Sequence, residues 1–190
     1  MAYGPYAVPW RDRRLSEGGT AVRLLRGGPP RGVRRMLLRA PILAFRAGLG
    51  GLFGERLLCL THIGRVSGRP RQVVLEVVDR GDEPDSFVVA SAYARRSQWM
   101  RNVLARPAVR YQVGRRTYHG TAVPLPSADS GRRLADYARR HPLTAEELMR
   151  SLGHAPRDSA DYEALGADSE HGVPLVLLRP DDEARGGAED

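Results

Sequence analysis

With 190 residues and 42% of them hydrophobic, the chain is long enough for one domain of ordinary size with some excess at its ends. It offers no run of about 18 apolar residues that would make a membrane span. The formal charge of +8 at pH 7 directs attention to anionic partners: nucleic acid, a membrane surface or a phosphorylated ligand. All thirty basic residues are arginine, a bias that codon use in a GC-rich genome produces unaided, so the placement of particular arginines carries more information than their total. Cys59 is the single cysteine and has no disulfide partner within the chain, which fits a reducing compartment. The N-terminus lacks the pattern of a secretory signal, and the expectation is a cytoplasmic protein.

In chain order, residues 1–32 are rich in Gly, Pro and Arg without sustained periodicity and read as an irregular arm. Residues 33–49 place Met36, Leu37, Ile42, Leu43 and Phe45 at helical spacing among arginines, predicting an amphipathic helix that Pro41 kinks or restarts. Five short runs rich in Val, Leu, Tyr and Thr follow, at 56–62, 72–78, 87–91, 109–113 and 116–123, separated by turn residues in the manner of a β-barrel or sandwich. Gly114-Arg115 predicts a tight hairpin between the last two. The spacing of Trp99, Val103 and Leu104 predicts a short helix between the third and fourth. Ser127 is placed to cap a helix reaching Arg140, and Thr144-Ala145-Glu146-Glu147 has the form of a capping box that opens a second helix ending at Leu152. Residues 157–171 read as loop, 173–179 as a last apolar strand, and 181–190 as a frayed polar tail. The fold class is therefore α+β and mainly β, with one domain over 33–180, an N-terminal helix and C-terminal helices that cover the barrel.

Several motif classes are excluded. A nucleoside-triphosphate loop needs a lysine after its glycines, and this chain has none. Gly48, Gly50, Gly51 and Gly54 follow a helix rather than a strand and do not meet the dinucleotide fingerprint. Ser67 does not stand in a nucleophile elbow. The histidines His62, His119, His141, His154 and His171 are scattered and form no zinc spacing. What remains is Gly64-Arg65-Val66-Ser67-Gly68-Arg69-Pro70-Arg71, which gathers two glycines, a hydroxyl and three arginines between two predicted strands. Glycines free backbone N–H groups to point inward and guanidinium groups fork onto phosphate or carboxylate oxygens. The residues alone are compatible with an anion cradle or with a solvated turn.

Three blocks taken together are more specific. Leu60-Thr61-His62-Ile63-Gly64-Arg65-Val66-Ser67-Gly68-Arg69-Pro70-Arg71, then Val88-Val89-Ala90-Ser91, then Trp99-Met100-Arg101-Asn102-Val103-Leu104-Ala105-Arg106-Pro107-Ala108-Val109 strongly resemble the deazaflavin-dependent nitroreductase family in order and spacing. The resemblance implies an FMN-binding-type split β-barrel. It implies an oxidoreductase that takes a hydride from reduced coenzyme F-420, an 8-hydroxy-5-deazaflavin with a phospholactyl-oligoglutamate tail, and passes it to a quinone, nitroaromatic, enone or unsaturated lipid.

Carried over by position, the resemblance makes Gly64, Arg65, Val66, Ser67, Gly68 and Arg71 the holders of the anionic tail. Ser91 would approach the ring system, with Trp99, Met100 and Asn102 lining the same groove, and Val74 is a further cofactor-binding candidate. Tyr137 and His141, from the C-terminal helical region, become the candidate proton donors. The chain also departs from the family pattern. Val66 replaces a residue that is often basic, Val74 and Glu76 replace a proline and a tyrosine, and Ala92-Tyr93-Ala94-Arg95-Arg96 replaces a glycine-rich bend. Arg95 and Arg96 are candidates to restore the tail charge that Val66 lacks.

Two other readings stand beside this one. The barrel could hold flavin mononucleotide or a similar ligand without reductase activity. Charge alone would support nucleic-acid binding, but no nucleic-acid motif accompanies it and none is expected. The arginine-rich helix at 33–49 is compatible with peripheral contact to an anionic membrane, at the inner face of the cell membrane, where lipophilic substrates reside.

Overall fold

The structure is a computed structural model and describes residues 40–181. Six strands, β1 (Leu57–Ile63), β2 (Pro70–Arg80), β3 (Phe87–Ala90), β4 (Ala108–Val113), β5 (Arg116–Pro124) and β6 (Leu175–Pro180), close into an antiparallel barrel in the order β1-β2-β3-β6-β5-β4. Five helices accompany it: α1 (Ala40–Arg46), α2 (Gln98–Ala105), α3 (Ser127–Arg140), α4 (Pro142–Leu152) and α5 (Ser159–Ala167). This is the expected split β-barrel of α+β class, and each of the six expected strands lies within two residues of its expected limits.

Alternation along the strands builds two cores rather than one. Leu58, Leu60, Leu75, Phe87 and Val89 point into the barrel, where α2 inserts Trp99, Met100 and Val103. The outward-pointing Val88 and Ala90 of β3 and Leu175 of β6 meet Leu134 and Ala138 of α3, Leu148 and Met149 of α4 and Tyr162 of α5. All four residues of β3 are consequently buried, because barrel interior and helical cover claim opposite faces of the same strand. Alternation along β2 sets Val77 with the barrel and Val78 with the helical core, and a bulge shifts the β2–β3 register between Val77 and Asp79. The β4–β5 hairpin turns at Gly114, whose φ of 57° meets the requirement for glycine at the first central position of a type II′ turn.

The helical layer differs from expectation in three places. Pro126, not Ser127, occupies the N-cap of α3, and no side chain caps it. α4 opens at Pro142 with His141 at its N-cap, so Thr144 and Glu147 lie inside the helix instead of forming a capping box. Proline's fixed φ and missing donor favour a helix start, and here that preference governs. Residues 157–171 are not all loop, for they contain α5, capped by Asp158 Oδ1 accepting from the N–H of Asp161 at 2.9 Å. Its contact with α3 runs through small residues: a Cβ on Gly166 would lie 2.7 Å from the carbonyl oxygen of Ser130. With no apolar stripe to announce it, this helix gave no periodic signal.

Tied to β2 by Arg46 Nε donating to Gln72 Oε1 at 2.8 Å, α1 is the described part of the expected N-terminal helix. Residues 1–39 and 182–190, including the expected arm and most of the polar tail, lie outside the described residues. Among the described residues, no helix is long and apolar enough to cross a membrane.

Candidate functional site

The β1–β2 connection is a tightly tied turn. Gly64 donates its N–H to the carbonyl of Arg69 at 3.0 Å, and Gly68 donates to the carbonyl of Gly64 at 2.8 Å. Gly68 adopts a φ of 64°, which costs a residue with a Cβ roughly 1–2 kcal/mol. Ser67 Oγ accepts from the N–H of Arg69 at 3.4 Å. It also stands where a side chain at position 64 would fall, 2.7 Å from an added Cβ. Val66 is 90% exposed at the tip.

A buried amide fixes this turn to α2. Asn102 is 5% exposed, and its Oδ1 accepts from the backbone N–H of Arg65 at 3.1 Å and from the guanidinium of Arg65 at 3.0 Å. With the oxygen committed to two donors, Nδ2 is left to donate to His62 Nδ1 at 3.1 Å. That assigns His62 the neutral tautomer with its proton on Nε2. Burial, reinforced by the charge of Arg71, lowers the pKa of His62 and keeps it in this form. Arg65 donates a further bond to Gln98 Oε1 at 3.0 Å, so its guanidinium is oriented before any ligand arrives.

The oriented arginine borders a groove of about 520 Å³ lined by Arg65, Arg95, Arg96, Arg101, Leu104 and Glu170. Three short segments supply its charge. Arg65 comes from the turn, Arg101 from α2, and Arg95 and Arg96 from a 3₁₀ turn at Ala94–Arg96. Arg95 pairs with Glu170 at 3.0 Å, whereas among the described residues the side chains of Arg96 and Arg101 make no ion pair or hydrogen bond. The 3₁₀ turn is anchored by Ser91, which is fully buried. The Ser91 hydroxyl donates to the carbonyl of Ala94 at 3.3 Å, and its N–H donates to the carbonyl of Pro174 at 2.9 Å. Ala94 takes a φ of 45°, a strained setting for alanine. It is itself fully buried, while Arg95 and Arg96 project outward.

A second cluster lies on the outer face of β2. Tyr137 of α3 is 4% exposed and donates its hydroxyl to Glu76 Oε1 at 3.0 Å, with Arg56 3.9 Å from the same oxygen. Burial pushes the Glu76 carboxyl up, against the opposing influence of Arg56 and of the Tyr137 hydroxyl. Desolvation and then the Glu76 charge raise the Tyr137 phenol well above the usual range. His141 lies with its ring centroid 5.2 Å from that of Tyr137, its pKa lowered by burial and by Arg140 and Arg56. Val74 shares this face of the strand in a half-buried position.

A model of the F420H(2)-dependent quinone reductase family matches residues 42–151. The chain belongs to that family. No curated protein matches its sequence. Among solved structures, an F420-H2 dependent reductase, FDR-A, is similar at 18% identity and a TM-score of 0.45, covering 66% of this chain and 96% of its own. A pyridoxamine 5′-phosphate oxidase-related, FMN-binding protein from Nostoc punctiforme is similar at 16% identity and a TM-score of 0.46, covering 82% of each chain. PhzG from Burkholderia lata is similar at 18% identity and a TM-score of 0.41, covering 80% of this chain and 77% of its own.

The structure distributes the residues expected from sequence among several settings in this quinone reductase family member. Arg65 lines the groove, held there by Asn102, with Gly64, Ser67 and Gly68 shaping the turn behind it. Trp99 and Met100 belong to the barrel core, so α2 shows the groove Arg101 and Leu104 in their place. The Ser91 hydroxyl is consumed by the 3₁₀ turn and does not open onto the groove. Val74, Tyr137 and His141 form the separate cluster on β2, and none of them is among the groove's lining residues. Arg71 adjoins His62, its partner in the β1–β2 register. Sequence reasoning missed Arg101, Gln98, Glu170 and the bracing of His62. Arg101 and Gln98 had a usable signal, being three apart on one helix; Glu170 had none.

Proposed function

We propose that the protein transfers a hydride from reduced coenzyme F-420 to a lipophilic acceptor, with quinones as the first class and nitroaromatics, enones and unsaturated lipids as further ones. The observation that carries the placement of the coenzyme is the convergence of Arg65, Arg95, Arg96 and Arg101 on one groove. A phosphate followed by several carboxylates offers one anion for each guanidinium, and arginine pairs with both groups by forked, charge-assisted hydrogen bonds. A single flavin mononucleotide phosphate would leave most of that charge unmatched, which favours the deazaflavin over FMN.

When bound, the deazaflavin supplies a two-electron hydride donor, and the protein's share is binding, orientation and electrostatics. Arg65, braced by Asn102 and Gln98, presents its guanidinium in a fixed direction, while Arg96 and Arg101 are available to meet incoming anions. The oxyanion left by hydride addition to a quinone or enone requires a proton or a hydrogen bond. Tyr137 spends its O–H on Glu76, and His141, packed beside its ring, is the second candidate. The lowered pKa of His141 keeps its ring neutral near pH 7.

The test is a fluorescence titration of the purified protein with oxidised and reduced coenzyme F-420 and with FMN, followed by turnover assays with menadione. Binding of the deazaflavin in preference to FMN, with coenzyme oxidation on addition of menadione, is expected. Absence of deazaflavin binding would overturn the proposal.

A further inference from the structure

Glu170 is the only acid among the residues that line the arginine groove, and the chain around it is built to put it there. It follows α5 in a turn organised by Asp168, whose Oδ1 accepts from the N–H groups of Glu170 at 2.8 Å and His171 at 3.0 Å. The donors of His171 and Glu170 hold the Asp168 carboxyl below its usual range, so the turn keeps its acceptor near neutral pH. The exit of the loop is equally fixed. Gly172 donates to the carbonyl of Asp168 at 3.2 Å, and fully buried Val173 donates to the carbonyl of Leu165 at 2.8 Å. A side chain at position 172 has no room, since its Cβ would come 2.1 Å from the Leu165 carbonyl oxygen.

The backbone is therefore held while the ion pair that it delivers is labile. The Arg95 and Glu170 side chains are 55% and 58% exposed, a setting in which a salt bridge exchanges readily and contributes little. Arg96 and Arg101, by contrast, have no competing acid among the described residues.

We propose that Glu170 is an internal counter-anion that occupies Arg95 and limits how much the groove gains from tails bearing several carboxylates. This rests on the assignment of the groove to an anionic tail. A first anion meets Arg96 and Arg101 without competition. Arg95 becomes available only when a further carboxylate takes the place of Glu170, an exchange of like for like that keeps Arg95 paired and leaves the exposed Glu170 carboxylate to solvent. A ligand with one anionic group never reaches that exchange, whereas a tail of several glutamates does. Glu170 therefore moderates the gain in affinity as the tail lengthens, which keeps a multiply charged ligand exchangeable.

The experiment compares wild type with Glu170→Gln for the tail-less deazaflavin chromophore, coenzyme with one glutamate and coenzyme with several, by fluorescence titration at fixed low salt. Glu170→Gln is expected to bind the long-tailed coenzyme about threefold more tightly, with tail-less binding unchanged. Adding Arg95→Ala to that variant is expected to cancel the gain. If tailed coenzyme binds better than tail-less chromophore but wild type and Glu170→Gln are equal, the inference fails and the groove assignment stands. An equal gain for tail-less and tailed ligands also overturns the inference, since the effect then bypasses the tail. If the tail makes no difference to either protein, the groove assignment fails and the inference with it.

Discussion

The arginine groove and the Tyr137–Glu76 cluster are both polar features built on the β1–β2 ribbon, yet they treat charge in opposite ways. In the groove, buried Asn102 ties down Arg65 and the guanidinium groups of Arg96 and Arg101 stay exposed and unpaired among the described residues. Beneath α3, Glu76 is drawn in among Tyr137, Arg56 and Glu147, and its carboxyl is pushed toward the neutral form. One region spends hydrogen bonds to hold charge out in solvent. The other spends them to tolerate charge at the edge of a core. Poised surface charge is what an ionic ligand recognises, and the proposed capture of the coenzyme tail at the groove rests on this contrast.

The comparison is broken most strongly at Asn102. Asn102→Leu fills nearly the same volume but strands the N–H of Arg65 and Nδ1 of His62, and is expected to cost about 1–3 kcal/mol by urea denaturation. It should weaken coenzyme binding while leaving the Tyr137 hydroxyl bond intact. A smaller effect follows from the double variant Arg96→Ala, Arg101→Ala. Coenzyme affinity should fall about tenfold with a shallower salt dependence, and stability should stay within about 0.5 kcal/mol of wild type. Unchanged affinity in that variant would separate the groove from the coenzyme.

The smallest effect, and the one that sharpens the contrast, is at Glu76. Because its folded-state pKa is raised, Glu76 binds a proton more tightly in the native protein than in the unfolded chain. The resulting stability is complete below the unfolded pKa and is lost as pH rises through the folded one. Glu76→Gln removes that loss, so the variant should be more stable than wild type at about pH 8, with the gap closing toward about pH 4. Denaturation midpoints across that range measure it. A wild type more stable than the variant at about pH 8, with that advantage lost on acidification, would show that Glu76 acts in the fold as an ionised partner of Arg56.

Much of this molecule is legible in its sequence because alternation and turn residues act locally. The six strands and the Gly114 hairpin followed from Val, Leu and Tyr spacing and from glycine at a tight corner. α5 escaped notice because it packs through Gly166 and Ala side chains instead of an apolar stripe. The site was legible in part for the same reason. The turn at 64–71 is contiguous, so its glycines and arginines announce themselves together. Arg101, Glu170 and the Asn102–His62 bond become neighbours only when α2 and the segment after α5 are brought to one place by the barrel, and no local pattern encodes that. Trp99 and Met100 had the chemistry of a ligand wall, but the pitch of α2 turns them inward while Arg101 and Leu104 face out.

α2 is eight residues long and carries a plug on one side, Trp99, Met100 and Val103, and a clamp on the other, Asn102 and Arg101. A rod of two turns has no means of moving one side without the other. A shift of an ångström in how Trp99 seats among the strands is transmitted as the same shift in Asn102, and through it to the guanidinium of Arg65. Replacements at Trp99 that leave the barrel folded are thus expected to be felt at the Arg65 guanidinium as well as in the core.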